Sequence, residues 1–212
     1  MVDVSEVKVD KEFTKLVGPS TRSNIKEYAK ASKDRNAIHV SDDSASAGGL
    51  RGVIQHGMLG YAIAIDFMDS WVGDAGKLKS ITSEMRGTVR PGDMMEIKLK
   101  IESISEQTAS CTWTLSSITP FTISKDGEIV KTFEAEEHDW LDKKDVENNL
   151  IVEKELEEPL TYVDYTWDNL GFPKGKWNET IGTWEDGGTL KYRYRTAFQG
   201  KVDFEFNEPL DY

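Results

Sequence analysis

Between Tyr28 and Met58 the chain gathers the side chains best suited to moving protons. His39 and His56, two of its three histidines, lie here, and Asp34 stands five residues before His39. His56 is followed by Gly57 and a long apolar run, so a helix start is expected beside it. An acid, a base and the N–H groups of a helix N-terminus form an economical set for proton transfer next to a carbonyl.

Two side chains that act on one water have to be turned inward by a loop held between helices. A helix is expected to begin at Ser23 or Asn24, both good N-caps, with Glu27 placed for a capping box. Ile25, Tyr28 and Ala29 give it one apolar face. It should end near Ser32 and deliver Lys33 to His39 as a loop. Residues 41–51 read as a short Ala-rich helical turn ended by Gly48-Gly49. The run from Gly57 to Met68 carries one charge, Asp66, and is apolar nearly all round, the pattern of a buried helix.

Strands follow in a block, which points to an α+β arrangement and away from βαβ repeats. Residues 4–9 alternate weakly and suit a short first strand. Met95, Ile97, Leu99 and Ile101 alternate with charged residues, and Ala109, Cys111, Trp113 and Leu115 alternate with Ser and Thr. Asp126-Gly127 signals a hairpin, with its return strand from Glu128 to Glu136. Pro120 implies an edge or a bulge.

From Asp139 the character changes. Residues 142–158 are highly charged and read as partly helical or as a linker. Trp167, Trp177 and Trp184 stand among Gly and Pro as an irregular packed segment. Lys191–Arg195 and Val202–Phe206 alternate on either side of Gln199-Gly200, a pattern that suits a closing hairpin. So short a piece is expected to pack on the preceding domain or on a partner.

The net charge of −12 argues against broad contact with nucleic acid. Residues 139–212 hold 17 acidic against 9 basic side chains, so the acidity is concentrated there. That suits solvation or docking to a basic partner. No run approaches the roughly 20 apolar residues of a membrane span. The lone Cys111 excludes an internal disulfide framework and suits a reducing cytoplasm.

Three segments carry a family resemblance. Asp34-Arg35-Asn36-Ala37-Ile38-His39 resembles the D-x-N-P-[IL]-H signature of the MaoC-like, (R)-specific enoyl-CoA hydratases. Ile54-Gln55-His56-Gly57-Met58-Leu59 resembles the family's I-x-H-G-M-L segment. Arg86-Gly87-Thr88-Val89-Arg90-Pro91-Gly92-Asp93 is similar to its F-x-x-P-V-x-P-G-D stretch. The likeness covers about the first 138 residues.

The resemblance implies a hotdog fold over residues 1–138, an antiparallel sheet wrapped around a central helix, with residues 139–212 as an atypical acidic, Trp-rich extension. It implies reversible addition of water to a trans-2-enoyl-CoA. Asp34 would take the water's proton, and His39 would orient the water and share in the proton delivered to C2. Asn36 would brace the loop, and the Gly57 N–H would face the negative charge on the thioester oxygen. His56 has a structural role or touches substrate. A homodimer or an assembly of dimers is implied, with an acyl-CoA thioester as substrate and a partner protein as a possible ligand of the extension. No metal or other cofactor is expected, because the histidines look scattered, and no dinucleotide fingerprint is present.

Arg86 and Arg90 suit either CoA phosphates or solvated strand positions, and His138 the surface. Ala37 replaces the family proline, Lys33 the glycine before the aspartate, and Leu59-Gly60-Tyr61-Ala62 lacks the serine that some members carry. Two other readings stay open: a hotdog thioesterase using Asp34, and a non-catalytic subunit that binds acyl-CoA or a partner enzyme.

Overall fold

A computed structural model describes residues 2–167 and 177–210. Residues 4–9 do not form the expected strand. Asp3 caps a single 3-10 turn, Val4–Glu6, by accepting the Ser5 N–H, a local bond that competes with extended pairing. The first strand is β1 (Glu12–Val17).

Helix α1 (Arg22–Ser32) starts earlier than expected. Its N-cap is Thr21, whose hydroxyl accepts the Asn24 N–H at 3.0 Å, and Glu27 makes no capping box but pairs with Lys30. Ile25 and Ala29 are buried and Tyr28 half-buried. Lys33 ends the helix in the left-handed region at φ 63°, as glycine commonly does. That explains why a glycine suits this position in the resembled sequences. The short α2 (Asp42–Ala47) follows, as expected.

The central helix is α3 (Gly57–Val72). It buries Gly60, Ala64, Phe67, Met68, Trp71 and Val72, while Met58, Ala62 and Asp66 are exposed. The all-round burial expected for it is therefore not met within one chain. The sheet covers one side of the helix, where Met68 and Trp71 join Leu99, Trp113, Leu115 and Phe204 in the main core.

Three strands come next, β2 (Gly76–Ile81), β3 (Glu84–Met85) and β4 (Met94–Ser105). The long β5 (Thr108–Lys125) turns at Asp126-Gly127 into β6 (Glu128–Thr132), both turn residues having positive φ. Two short helices, α4 (Glu134–Glu137) and α5 (Lys143–Glu147), lead to β7 (Ile151–Glu155). Strands β8 (Leu160–Trp167) and β9 (Trp177–Trp184) pair antiparallel, and β10 (Thr189–Phe206) closes the chain. The segment expected to be irregular is therefore framed by an antiparallel pair; its stretch from 168 to 176 and the side chains of Trp167 and Trp177 lie outside the described residues.

The large sheet has the order β1-β4-β5-β10-β2, with β3 and β7 also pairing on β10 and β6 on β5. The expected closing hairpin does not exist. Lys191–Arg195 and Val202–Phe206 belong to one continuous strand that pairs with β5 from Thr189 to Glu205. Gly200 is not a turn residue; a Cβ there would lie 1.9 Å from the Thr82 carbonyl oxygen, so the position admits only a hydrogen. The expected boundary at residue 138 does not divide this sheet, because β10 sits inside it between β5 and β2. Residues 126–188 are an insertion between two neighbouring strands. Pro120 marks a bulge: Lys191 pairs with Thr122 and Tyr192 with Pro120, leaving Phe121 over.

Candidate active site

The loop after α1 carries the acid and the base, and short-range bonds fix its course. The Asp34 carboxylate accepts the Asn36 N–H at 3.2 Å, and the Asn36 side chain accepts the Ile38 N–H at 3.3 Å. Asn36 thereby caps the 3-10 turn Ala37–His39 that presents His39. Ala37 occupies the first position of that turn, where the fixed φ of a proline is tolerated. Asp34 is exposed and His39 buried.

Long-range bonds then tie this loop to the start of α3. His39 Nδ1 donates to the Ile54 carbonyl at 2.8 Å, which leaves Nε2 of the neutral ring as an acceptor. His56, the N-cap of α3, donates Nε2–H to the carbonyl of Asp34 itself at 3.0 Å. The two imidazoles stack with centroids 3.8 Å apart, and Tyr28 packs on His56 at 5.0 Å. The histidines at 39 and 56 are thus not scattered, contrary to the sequence reading. Ligand atoms of Asp34, His39 and His56 lie within 4.8 Å of one another. Burial pushes the His39 pKa down, the neighbouring His56 adds to that, and the Ile54 carbonyl and Asp34 oppose it.

His39 and His56 line a cavity of about 140 Å³ together with Gly57, Met85, Val89 and Phe198, among others, while Asp34 stands beside it and not in its lining. Gly57 is the first residue of α3, where backbone N–H groups lack a partner within the helix. A Cβ at Gly57 would lie 2.9 Å from Met85 Sδ, so the bare backbone is what lets the Met85 side chain pack against the start of α3. Gln55 is anchored by the Ser20 hydroxyl at 2.7 Å.

Other expectations are redistributed. Arg90 is neither solvated nor available to a phosphate. It is buried, donates to the Gly52 carbonyl at 3.3 Å and lies over the Trp140 ring at 5.1 Å. Arg86 is exposed and pairs with Glu84 at 2.7 Å. His138 is on the surface, as expected, and stacks on Trp140. Cys111 is buried and its thiol is pushed up to about 12, so packing is its role.

Sequence reasoning missed Met85 and Phe198, which sit 113 residues apart and meet across β3 and β10. It also missed Glu179 on β9, whose carboxylate accepts the N–H groups of Arg22 and Ser23 at 3.1 and 3.0 Å. A carboxylate at a helix N-terminus is a favourable partner for the helix dipole. The inserted segment therefore grips the helix that delivers Asp34.

The chain resembles known proteins in sequence and in fold. The fatty acid synthase beta subunit TOXC of Cochliobolus carbonum is 38% identical over 80 residues, which are 37% of this chain and 4% of that protein. A beta subunit from Aspergillus oryzae is 33% identical over 79 residues, 36% of this chain and 4% of that one. The chain thus spans a small part of the curated relatives it matches. Among solved structures, the (R)-hydratase of A. caviae involved in PHA biosynthesis superposes with a TM-score of 0.53 at 10% identity, covering 94% of this chain and 96% of that one. A MaoC-like dehydratase superposes with a TM-score of 0.50 at 25% identity, covering 59% and 38%. Both likenesses place the α3 helix and its antiparallel sheet in the hotdog fold. The model of the MaoC-like domain matches residues 5–119, more than half of the chain and all three of its motifs, and the chain belongs to that family.

Proposed function

We propose that the protein adds water reversibly to a trans-2-enoyl-CoA to give an (R)-3-hydroxyacyl-CoA. The observation that carries this reading is the convergence of Asp34 and His39 at the start of α3, a carboxylate oxygen and a ring nitrogen within 4.8 Å of each other. That spacing suits one water between them, given hydrogen bonds of about 2.8 Å to each. The bare Nε2 of His39 orients the water, and the Asp34 carboxylate takes its proton as the oxygen bonds to C3. The electrons of the C2–C3 double bond move onto the thioester oxygen, which faces the N–H of Gly57. Collapse of that enolate takes the proton back at C2, so one water is added and nothing else is consumed. Prepositioned N–H donors at such a charge typically contribute several kcal/mol.

The reading uses no metal. One ring nitrogen each of His39 and His56 is held by a carbonyl, which supports a proton-handling role. It also includes a homodimer, supported by the exposed outer face of α3 at Met58, Ala62 and Asp66.

Loss of enoyl-thioester absorbance on adding protein to short and medium trans-2-enoyl-CoAs tests the reading, with Asp34→Asn alongside. Wild-type hydration reduced by roughly 10²-fold or more in the variant is the expected result. No turnover across the panel would favour a non-catalytic acyl-binding subunit.

A further inference from the structure

If the cavity beside His39 is the hydration site, its size limits the substrate. We propose that the protein acts on short acyl chains, and that Phe198 sets this limit. This inference rests on the hydration reading and deepens it.

The cavity volume is about 140 Å³. Pockets that enclose larger ligands run from about 300 Å³ upward. The far wall is the ring of Phe198, which is 2% exposed and belongs to the main core. Its Cε2 stands 3.0 Å from where a Cβ of Gly60 would sit, and its Cζ 4.0 Å from that of Gly57. The ring therefore packs against the first turn of α3. A register shift in β10 between Thr196 and Phe198 puts it there. Such a bulge re-aims the side chain that follows it. At the mouth, by contrast, Met85 is 61% exposed and flexible enough to move aside. The mouth can give and the far wall cannot. Phe198 lies outside the matched family segment, on the strand that follows the insertion.

The test is kcat/KM for butenoyl-, hexenoyl- and octenoyl-CoA with the wild type, Phe198→Leu and Phe198→Ala. The wild type should prefer butenoyl-CoA to octenoyl-CoA by roughly tenfold or more. Phe198→Ala should raise the octenoyl-to-butenoyl ratio by about as much, and Phe198→Leu should move the optimum part of the way, which keeps the test informative where the alanine variant fails to fold. Hydration of all three lengths with the same profile in wild type and variants would overturn the length limit and leave the hydration reading standing. Absence of any turnover by the wild type would overturn both.

Discussion

Around α3 the sheet buries apolar side chains almost alone, with Ile97, Leu99, Trp113, Leu115 and Phe204 packed on Met68 and Trp71. At the other end of the same long strands, where the inserted segment is carried, the junction is built from buried charge. Arg22 donates to both Asp42 and Glu134, Asp42 also accepts the Val53 N–H, and Arg193 donates to Asp145 and Thr119. Arg22, Asp42 and Glu134 are each under a tenth exposed. Apolar packing is tolerant of sliding, whereas a buried ion pair has one register. The difference suggests a division of labour. The apolar end forms the cavity, and the charged end fixes the angle at which α1 brings Asp34 to it.

Removing residues 140–212 breaks this comparison most severely. The deletion takes β10 from between β5 and β2, so the expected outcome is loss of the folded state, read as loss of the cooperative unfolding transition. A detachable appendage would instead leave a folded domain. Next in size, Arg22→Ala strands two buried carboxylates above the Glu134 titration and should cost about 3–5 kcal/mol in urea unfolding followed there. By comparison, Ile97→Val in the apolar end should cost about 0.5–1.5 kcal/mol. Equal costs would show that the two ends are not held differently.

The smallest effect is in pH dependence. Burial pushes Glu134 up from an ordinary 4.5 to about 7, with the nearby Asp42 charge adding to the rise and Arg22 opposing it. The folded chain therefore keeps this proton where the unfolded chain has released it. The group's contribution to stability is full below about pH 4.5 and is lost as pH rises through about 7. Melting temperature followed over that window should fall more in the wild type than in Glu134→Gln, and parallel curves would contradict the assignment.

What the sequence disclosed is local. The order Asp34, Asn36, His39 sets its own turn through bonds of two residues' reach, and the alternation in β4 and β5 states which face is buried. The apolar run after His56 is the central helix, though its outer face proved open. Lys33 was legible only as a departure, and its left-handed φ supplies the reason. Two features depend on partners far along the chain and could not be read. Gln199-Gly200 looks like a turn because glycine serves turns and close approaches alike, and only Thr82 packed on it decides between them. The bond from His56 to the Asp34 carbonyl links main chain to side chain across 22 residues and leaves no pattern in composition.

The most direct test of the central claim is to run the reaction on trans-2-butenoyl-CoA in heavy-oxygen water and weigh the product. The account predicts an intact thioester heavier by one labelled water, with the label on the C3 hydroxyl, and little such product from Asp34→Asn. Label in a free carboxylate would show that Asp34 directs water to the thioester carbonyl instead, and would contradict the account.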